Sequence, residues 1–306
     1  MSILDATFFR DEEEAYSKLE AFHWPVGPEC PHCGSVNDAT KIQTNTAKKV
    51  RYGLWRCKSC KAQFTVTVGT VFESSHIPLH KWLQAAYLLN SSKKGISAKQ
   101  IERTLQISYK SAWFMMHRLR EAMTPAAGVG PIGGEGEIVE ADETYIGHKD
   151  GTSPSNGYSH KRTVLSLVQR GGPARSFHID KATKKNIMSK VRENVSEYSR
   201  FMTDEAKHYK GGYGVQHDTV NHGKAEYARG DVSTNTVEGF FSIFKRGFKG
   251  IYQHCGEKHL QRYLNEYDFR YNNREALGVN DMARTAIALQ GAKGKRLTYR
   301  RTHAAQ

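Results

Sequence analysis

Ile138-Val-Glu-Ala-Asp-Glu-Thr-Tyr-Ile146 decides how the larger part of this chain folds. Its alternating polarity and β-branched ends predict a strand. Successive strand side chains point to opposite faces, so Glu140, Asp142 and Thr144 share one face and Glu143 takes the other. A polar loop over 147–160 follows, then a second strand over 161–169, a Gly171-Gly-Pro173 turn and a third strand over 174–179. Residues 183–195 read as a helix with Ile187, Met188 and Val191 inward, and 200–205 as a fourth strand.

Three meandering strands, a helix and a further strand form the α/β pattern of a ribonuclease H-like fold, with a long helical C-terminal part covering the sheet. In that topology the first and fourth strands are neighbours, so Asp142 and Asp204 meet. A third acid comes from Thr234-Asn-Thr-Val-Glu-Gly-Phe-Phe-Ser-Ile-Phe-Lys-Arg-Gly-Phe-Lys-Gly250. On a helical wheel Asn235, Glu238, Ser242, Lys245 and Lys249 form one stripe, opposite Phe240, Ile243, Phe244, Gly247 and Ile251. Clustered carboxylates without a basic partner repel and shift one another's pKa. Two Mg²⁺ (or Mn²⁺) ions about 4 Å apart relieve that repulsion and activate a water or a 3′-hydroxyl on a phosphodiester. Lys245 then contacts a DNA phosphate. Glu140, Glu143 and Glu205 compete for the same acidic roles.

The chain has 306 residues, a net charge of +14 and 38% hydrophobic residues. Its pI near 9.5 and mean hydropathy of −0.64 suit a soluble protein with a polyanionic partner, nucleic acid first among them. No apolar run of about 18 residues is present, so no membrane partner is expected. The start, with Asp11-Glu-Glu-Glu14, lacks the basic opening and apolar run of a secretory signal, and five cysteines falling as two close pairs plus Cys255 suggest metal rather than disulfides and a reducing cytoplasm.

Cys30-Pro-His-Cys33 and Cys57-Lys-Ser-Cys60 are two CxxC knuckles, with alternating residues over 40–56 and 61–72. This spacing suits one structural Zn²⁺ held by Cys30, Cys33, Cys57 and Cys60, closed to water by its four thiolates. His32 reads as a loop residue. Residues 78–89 read as a buried helix. Ser97 then caps a short helix over 98–105, and a turn leads to a helix over 110–123. This is the layout of a helix-turn-helix, with Ile101, Leu105, Ile107, Trp113 and Leu119 inside. Lys110, Ser111, His117, Arg118 and Arg120 then face DNA. His217-Asp-Thr-Val-Asn-His222 suits a metal or a phosphate. Along 257–274, Tyr263, Tyr267, Phe269 and Tyr271 read as core, and Arg270 and Arg274 as phosphate contacts.

These motifs together resemble the IS1595 family of bacterial insertion-sequence transposases, ISXO2-like group. The resemblance rests on the cysteine ribbon, on Val139-Glu-Ala-Asp-Glu-Thr-Tyr-Ile-Gly-His-Lys149, on Phe201-Met-Thr-Asp-Glu205, on Val220-Asn-His222 and on Thr234–Gly247. It covers nearly the whole chain. It implies a catalytic pattern of two aspartates, a glutamate or asparagine, and a lysine, carried over to Asp142, Asp204, Glu238 and Lys245. Asn235 competes with Glu238 for the third position. DNA-contacting residues are expected at Lys110, Ser111, Arg118, His222, Asn235 and Lys249. The implied layout is a zinc ribbon over 1–75, a helix-turn-helix over 76–126, a linker over 127–137, a catalytic domain over 138–290 and a basic tail over 291–306. The implied partners are the inverted-repeat ends, target DNA and a second or further copy of the chain, in a bacterial cytoplasm close to the nucleoid. Two rival readings leave out part of this: a non-catalytic DNA-binding regulator, and a ribonuclease H-like nuclease without strand transfer.

Overall fold

The computed structural model describes residues 2–45, 47–48, 50–154, 157–209, 216–221, 223, 226 and 228–298. The chain divides into two compact units, one from residues 1–124 with the segment from Gly278 onward, the other from Pro125–Leu277.

In the first unit, α1 (Glu12–His23) precedes a ribbon of three short antiparallel strands, β1 (Ala39–Lys41), β2 (Trp55–Cys57) and β3 (Gln63–Phe64). The ribbon is shorter than the alternation predicts, and residues 65–72 turn away from it. Trp24 packs edge-on against both Trp55 and Phe64, an apolar seal over a very small sheet. Next come α2 (Leu79–Ser91), α3 (Ala98–Leu105) and α4 (Tyr109–Ala122). Ser97 caps α3 by accepting from the Gln100 amide at 3.1 Å, and Ser108 caps α4 by accepting from Ser111 at 3.2 Å. Gln106, at φ 50°, turns the chain between them.

α8 (Asp281–Gln290) belongs to this unit, which corrects the expectation that the sheet domain runs to residue 290. Arg284 donates to the Asn90 carbonyl at 2.7 Å, and the His23 ring meets the Leu289 carbonyl at 2.8 Å. Helical periodicity shows which face of α8 is apolar but not which partner receives it.

The second unit is built on a five-stranded sheet in the order β6-β5-β4-β7-β8. Its strands are β4 (Ile138–Ile146), β5 (Arg162–Gln169), β6 (Ala174–Ile179), β7 (Arg200–Asp204) and β8 (His217–Val220). β4, β5 and β6 meander antiparallel, while β7 runs parallel to β4 and β8 parallel to β7. Crossing from β6 to a strand parallel to β4 needs a helical connection. α5 (Lys184–Asn194) supplies it.

The alternation of β4 sorts the core into two layers. Val139 and Ala141 pack with Leu165, Leu167, Ile187, Val191, Phe201 and Tyr209 on the α5 face. Ile146, Val164 and Val168 pack on the other face against α6 (Asn235–Gly247) and α7 (Leu260–Asn272). β8 closes one edge of the sheet beside β7. It is a four-residue edge strand with only Val220 buried, too short and too polar to show a period. A short hairpin of β9 (Ala228–Arg229) and β10 (Val232–Ser233) leads into α6. Among the described residues no helix is long and apolar enough to cross a membrane.

Candidate active site and metal centre

Asp142 lies on the α6/α7 face of β4. The parallel ladder pairs Val139 with Phe201 and Glu140 with Met202, so Asp142 and Asp204 stand level, two residues further along each strand. Asp142 is half-buried and accepts from the Glu143 amide at 2.7 Å. Burial, then the charges of Glu143, Asp204 and Glu238, push its carboxyl up to about 7. Burial also raises Asp204, with Glu143 and Glu205 adding to the rise; the Ala206 amide at 3.0 Å and His208 work against it. Glu238 is exposed in the first turn of α6 and accepts from the Thr234 hydroxyl at 2.9 Å. The Asp142 carboxyl thus feels both Asp204 and Glu238 through space. Among the described residues only the four cysteines bring three or more possible ligand atoms within 4.8 Å.

Glu140 is fully buried. It accepts from Arg170 at 2.6 Å, from the Thr236 amide and hydroxyl at 2.7 and 2.9 Å, and from the Val237 amide at 2.9 Å. A carboxylate against the first amides of a helix satisfies orphan donors and meets the positive end of the helix dipole. Glu140 therefore fastens the start of α6 to β4, and it fixes where Glu238 emerges. Arg170 continues the clamp to the carbonyls of Asp231 and Ser233 at 2.7 and 3.0 Å. Glu143 points to the opposite face, where the Tyr209 hydroxyl donates to it and His208 meets it at 3.0 Å. The Glu143 bond raises the His208 pKa. Glu205 accepts from the Gly223 amide at 3.0 Å.

The α6 stripe keeps its predicted orientation. Asn235, Glu238, Ser242, Lys245 and Lys249 are exposed, while Val237, Phe240, Phe241 and Phe244 are buried. The Lys245 ammonium lies 5.7 Å from the Phe241 ring centre. Lys249 sits beyond α6, in a π-helical turn over Phe248–Tyr252.

Sequence reading missed Arg170 and the Glu143–His208–Tyr209 cluster. Arg170 lies one residue past β5, where no strand period reaches. His208 carries a weak signal four residues after Asp204, but residues 207–209 form a 3₁₀ turn that periodicity does not show.

At the metal centre, Cys30 Sγ lies 3.7 Å from Cys60 Sγ and Cys33 Sγ 3.6 Å from Cys57 Sγ. A tetrahedron with Zn–S bonds of about 2.3 Å has sulfur–sulfur edges of about 3.8 Å, so the four thiols fit that ion. The Ser35 hydroxyl stands 3.2 Å from the sulfurs of both Cys33 and Cys57, and it draws the Cys57 thiol down to about 6.

The expected DNA-facing residues separate. Lys110 is exposed and Ser111 half-buried in the first turn of α4. Arg118 requires correction. It is buried, stacks on Phe114, and donates to the carbonyls of Glu73 and Leu297 at 2.9 and 3.0 Å. His117 and Arg120 are buried as well, because α4 turns its C-terminal half into the core. Arg270 is buried against Glu266, and Arg274 donates to the carbonyls of Gly172 and Tyr271, so neither matches the expected phosphate contact. His217 bonds the Thr203 hydroxyl at 2.9 Å, whereas His222 lies outside the described residues.

Comparison with known proteins bears on both sites. Residues 134–272 match the ISXO2-like transposase domain of IS1595 elements, and residues 10–63 match a transposase zinc-ribbon domain. An uncharacterized protein in transposable element ISH50 of Halobacterium salinarum is 27% identical over 301 residues, covering 88% of this chain and 95% of its own length.

Proposed function

The chain belongs to the ISXO2-like group of IS1595 transposases, with a transposase zinc ribbon in front, and from that premise we propose that it moves an insertion sequence by strand transfer. It binds the terminal inverted repeats, cleaves the 3′ ends and joins the freed 3′-hydroxyls to target DNA. The observation that carries this reading is the level placement of Asp142 and Asp204 on neighbouring parallel strands, with the charges of Asp204 and Glu238 both reaching the buried Asp142 carboxyl. The sheet order, with β7 and β8 parallel to the central β4, supports a ribonuclease H-like catalytic domain.

In this reading Asp142, Asp204 and Glu238 hold two Mg²⁺ or Mn²⁺ ions. The raised Asp142 carboxyl suits that role, because a hard cation offsets both the burial and the carboxylate repulsion that raise it. When bound, such ions supply charge neutralisation and Lewis-acid polarisation of the phosphodiester. The protein's own groups do the rest. Glu140 and Arg170 hold α6 at its angle to the sheet. Lys245, seven residues and two helical turns beyond Glu238, grips a phosphate next to the scissile bond. Asn235 supplies a polar contact at the head of the same stripe, and Lys249 a charge at its foot. α3 and α4 act as a helix-turn-helix that presents Lys110 and Ser111 to DNA, with the zinc ribbon alongside. The protein works as a dimer or larger assembly on paired ends, in a bacterial cytoplasm near the nucleoid.

The test incubates the protein with a pre-cleaved inverted-repeat duplex, a supercoiled plasmid and Mg²⁺. Wild type yields duplex joined covalently to plasmid, and Asp142→Asn yields none. A chain that only hydrolyses gives nicked plasmid without joined product. A chain that only regulates gives binding alone.

A further inference from the structure

The ladder between β4 and β7 ends at Glu140 and Met202, two residues short of both aspartates. Asp142 pairs outward with Ser166 of β5, and Asp204 outward with Val220 of β8. Strand pairing therefore does not by itself fix the gap between the two carboxylates. A second path does cross that gap, on the opposite face of the sheet. Glu143 follows Asp142 on β4 and turns to the α5 face, where its side chain is 5% exposed. One of its oxygens accepts from the Tyr209 hydroxyl, and the other meets His208 Nε2 at 3.0 Å. Tyr209 is fully buried, edge-on to Phe201 of β7, so the phenol has a fixed place. The turn that joins it to Asp204 is bonded within itself. The Tyr209 amide donates to the Ala206 carbonyl at 3.1 Å, and the Ala206 amide donates to the Asp204 carboxylate at 3.0 Å.

We infer that Glu143 is a positioning residue: through Tyr209 and His208 it holds the turn after β7, and so sets the spacing of Asp204 from Asp142. A buried carboxylate gains from each donor it keeps, and losing one leaves its desolvation cost standing, so the link is stiff. Groups that hold a metal ligand from behind tune affinity without touching the ion. This inference deepens the strand-transfer reading and rests on it.

The test uses the full chain and three variants. Tyr209→Phe removes the hydroxyl and keeps the buried ring, Glu143→Gln keeps an acceptor for that hydroxyl, and Asp204→Asn marks loss of the ligand itself. Without added divalent cation, hydrogen exchange across residues 204–209 should quicken about tenfold in Tyr209→Phe, while β4 and β5 keep wild-type protection. Mn²⁺ binding, read from the resonance signal of the free ion, should weaken about tenfold or more in the same variant. Its strand transfer should return toward the wild-type rate as Mn²⁺ is raised, because the ligand is misplaced rather than missing. Glu143→Gln should fall between wild type and Tyr209→Phe, and no Mn²⁺ concentration should restore Asp204→Asn. Wild-type exchange and Mn²⁺ affinity in Tyr209→Phe overturn the positioning role and leave strand transfer untouched. Protection lost across β4 and β5 as well makes the hydroxyl a general stability contact and overturns it too. A Glu143→Gln protein as defective as Asp204→Asn, and as deaf to added Mn²⁺, makes Glu143 a ligand instead. Wild type that neither binds Mn²⁺ nor joins DNA brings down the strand-transfer reading, and the positioning role with it.

Discussion

The four cysteines of the N-terminal unit and the carboxylates around the end of β4 both gather groups of like charge, by opposite means. The cysteines come from two short knuckles, and their sulfurs already stand at tetrahedral spacing, 3.6 and 3.7 Å apart across two pairs. The carboxylates come from β4, β7 and α6, far apart in sequence. Asp204 and Glu238 act on Asp142 by their charge, without the three closing to the 4.8 Å that the thiols reach. Proximity in sequence makes a closed cage, which suits a permanent ion. Convergence from three elements leaves the groups more widely spaced, the open arrangement that the proposed two-ion site requires. Glu140 sharpens the contrast. It lies two residues from Asp142 on the same face of the same strand, yet it is buried and has bonds to Arg170, Thr236 and Val237.

The largest effect should come from breaking the closed cage. Cys57→Ser, or a strong chelator, removes a site whose metal binding is worth about 10–16 kcal/mol of folding. Metal analysis should fall from one zinc per chain to none. The β1–β3 ribbon should unfold, because its apolar seal is little more than Trp24, Trp55 and Phe64. A ribbon that survives with its zinc gone would erase the distinction drawn here.

Next comes the open site. Asp142→Asn should lower strand transfer by about 10³-fold or more, of the order seen when transition-state electrostatics are removed. Its thermal midpoint in metal-free buffer should hold or rise, since the change removes a charge that burial already penalises. Glu140→Gln should do the reverse in stability. It strands Arg170 and weakens the helix cap, for a loss of about 3 kcal/mol read by denaturant melting. The two variants differ by two positions, so opposite stability changes test whether one acid serves chemistry and the other the fold. Equal losses would mean that both are structural.

Much of this was legible in the chain because period and spacing are local signals. The limits of β4 and β6 agree with the residues that predict them, and the CxxC pairs and the exposed α6 stripe follow from spacing alone. What escaped depends on long-range packing. Whether Arg118 faces solvent or the Glu73 and Leu297 carbonyls is set by segments 45 and 179 residues away. The destination of α8, the short edge strand β8 and the Arg170 clamp fail for the same reason. Burial of Glu140 was invisible because a strand acid reads the same whether it binds a metal or caps a helix.

The smallest effect tests the open site by titration. The Asp142 carboxyl sits at about 7 in the fold against 3.8 as its ordinary value. A cation binds its ionised form, so below pH 7 each unit of acidification should weaken Mg²⁺ or Mn²⁺ binding by up to tenfold, about 1.4 kcal/mol. Above pH 7 binding should level off. Without metal the sign inverts for the fold. A carboxyl raised in the native state favours folding most below pH 3.8, and that contribution is lost as pH climbs through 7. Asp268, buried against Ser176 and also raised to about 7, acts in the same direction. Asp142→Asn should therefore flatten only part of the stability slope between those pH values, while calorimetry shows the pH dependence of metal binding gone with the ligand. If the variant kept that dependence, the proton would belong to another group, and Asp142 would lose its place at the centre of the open site.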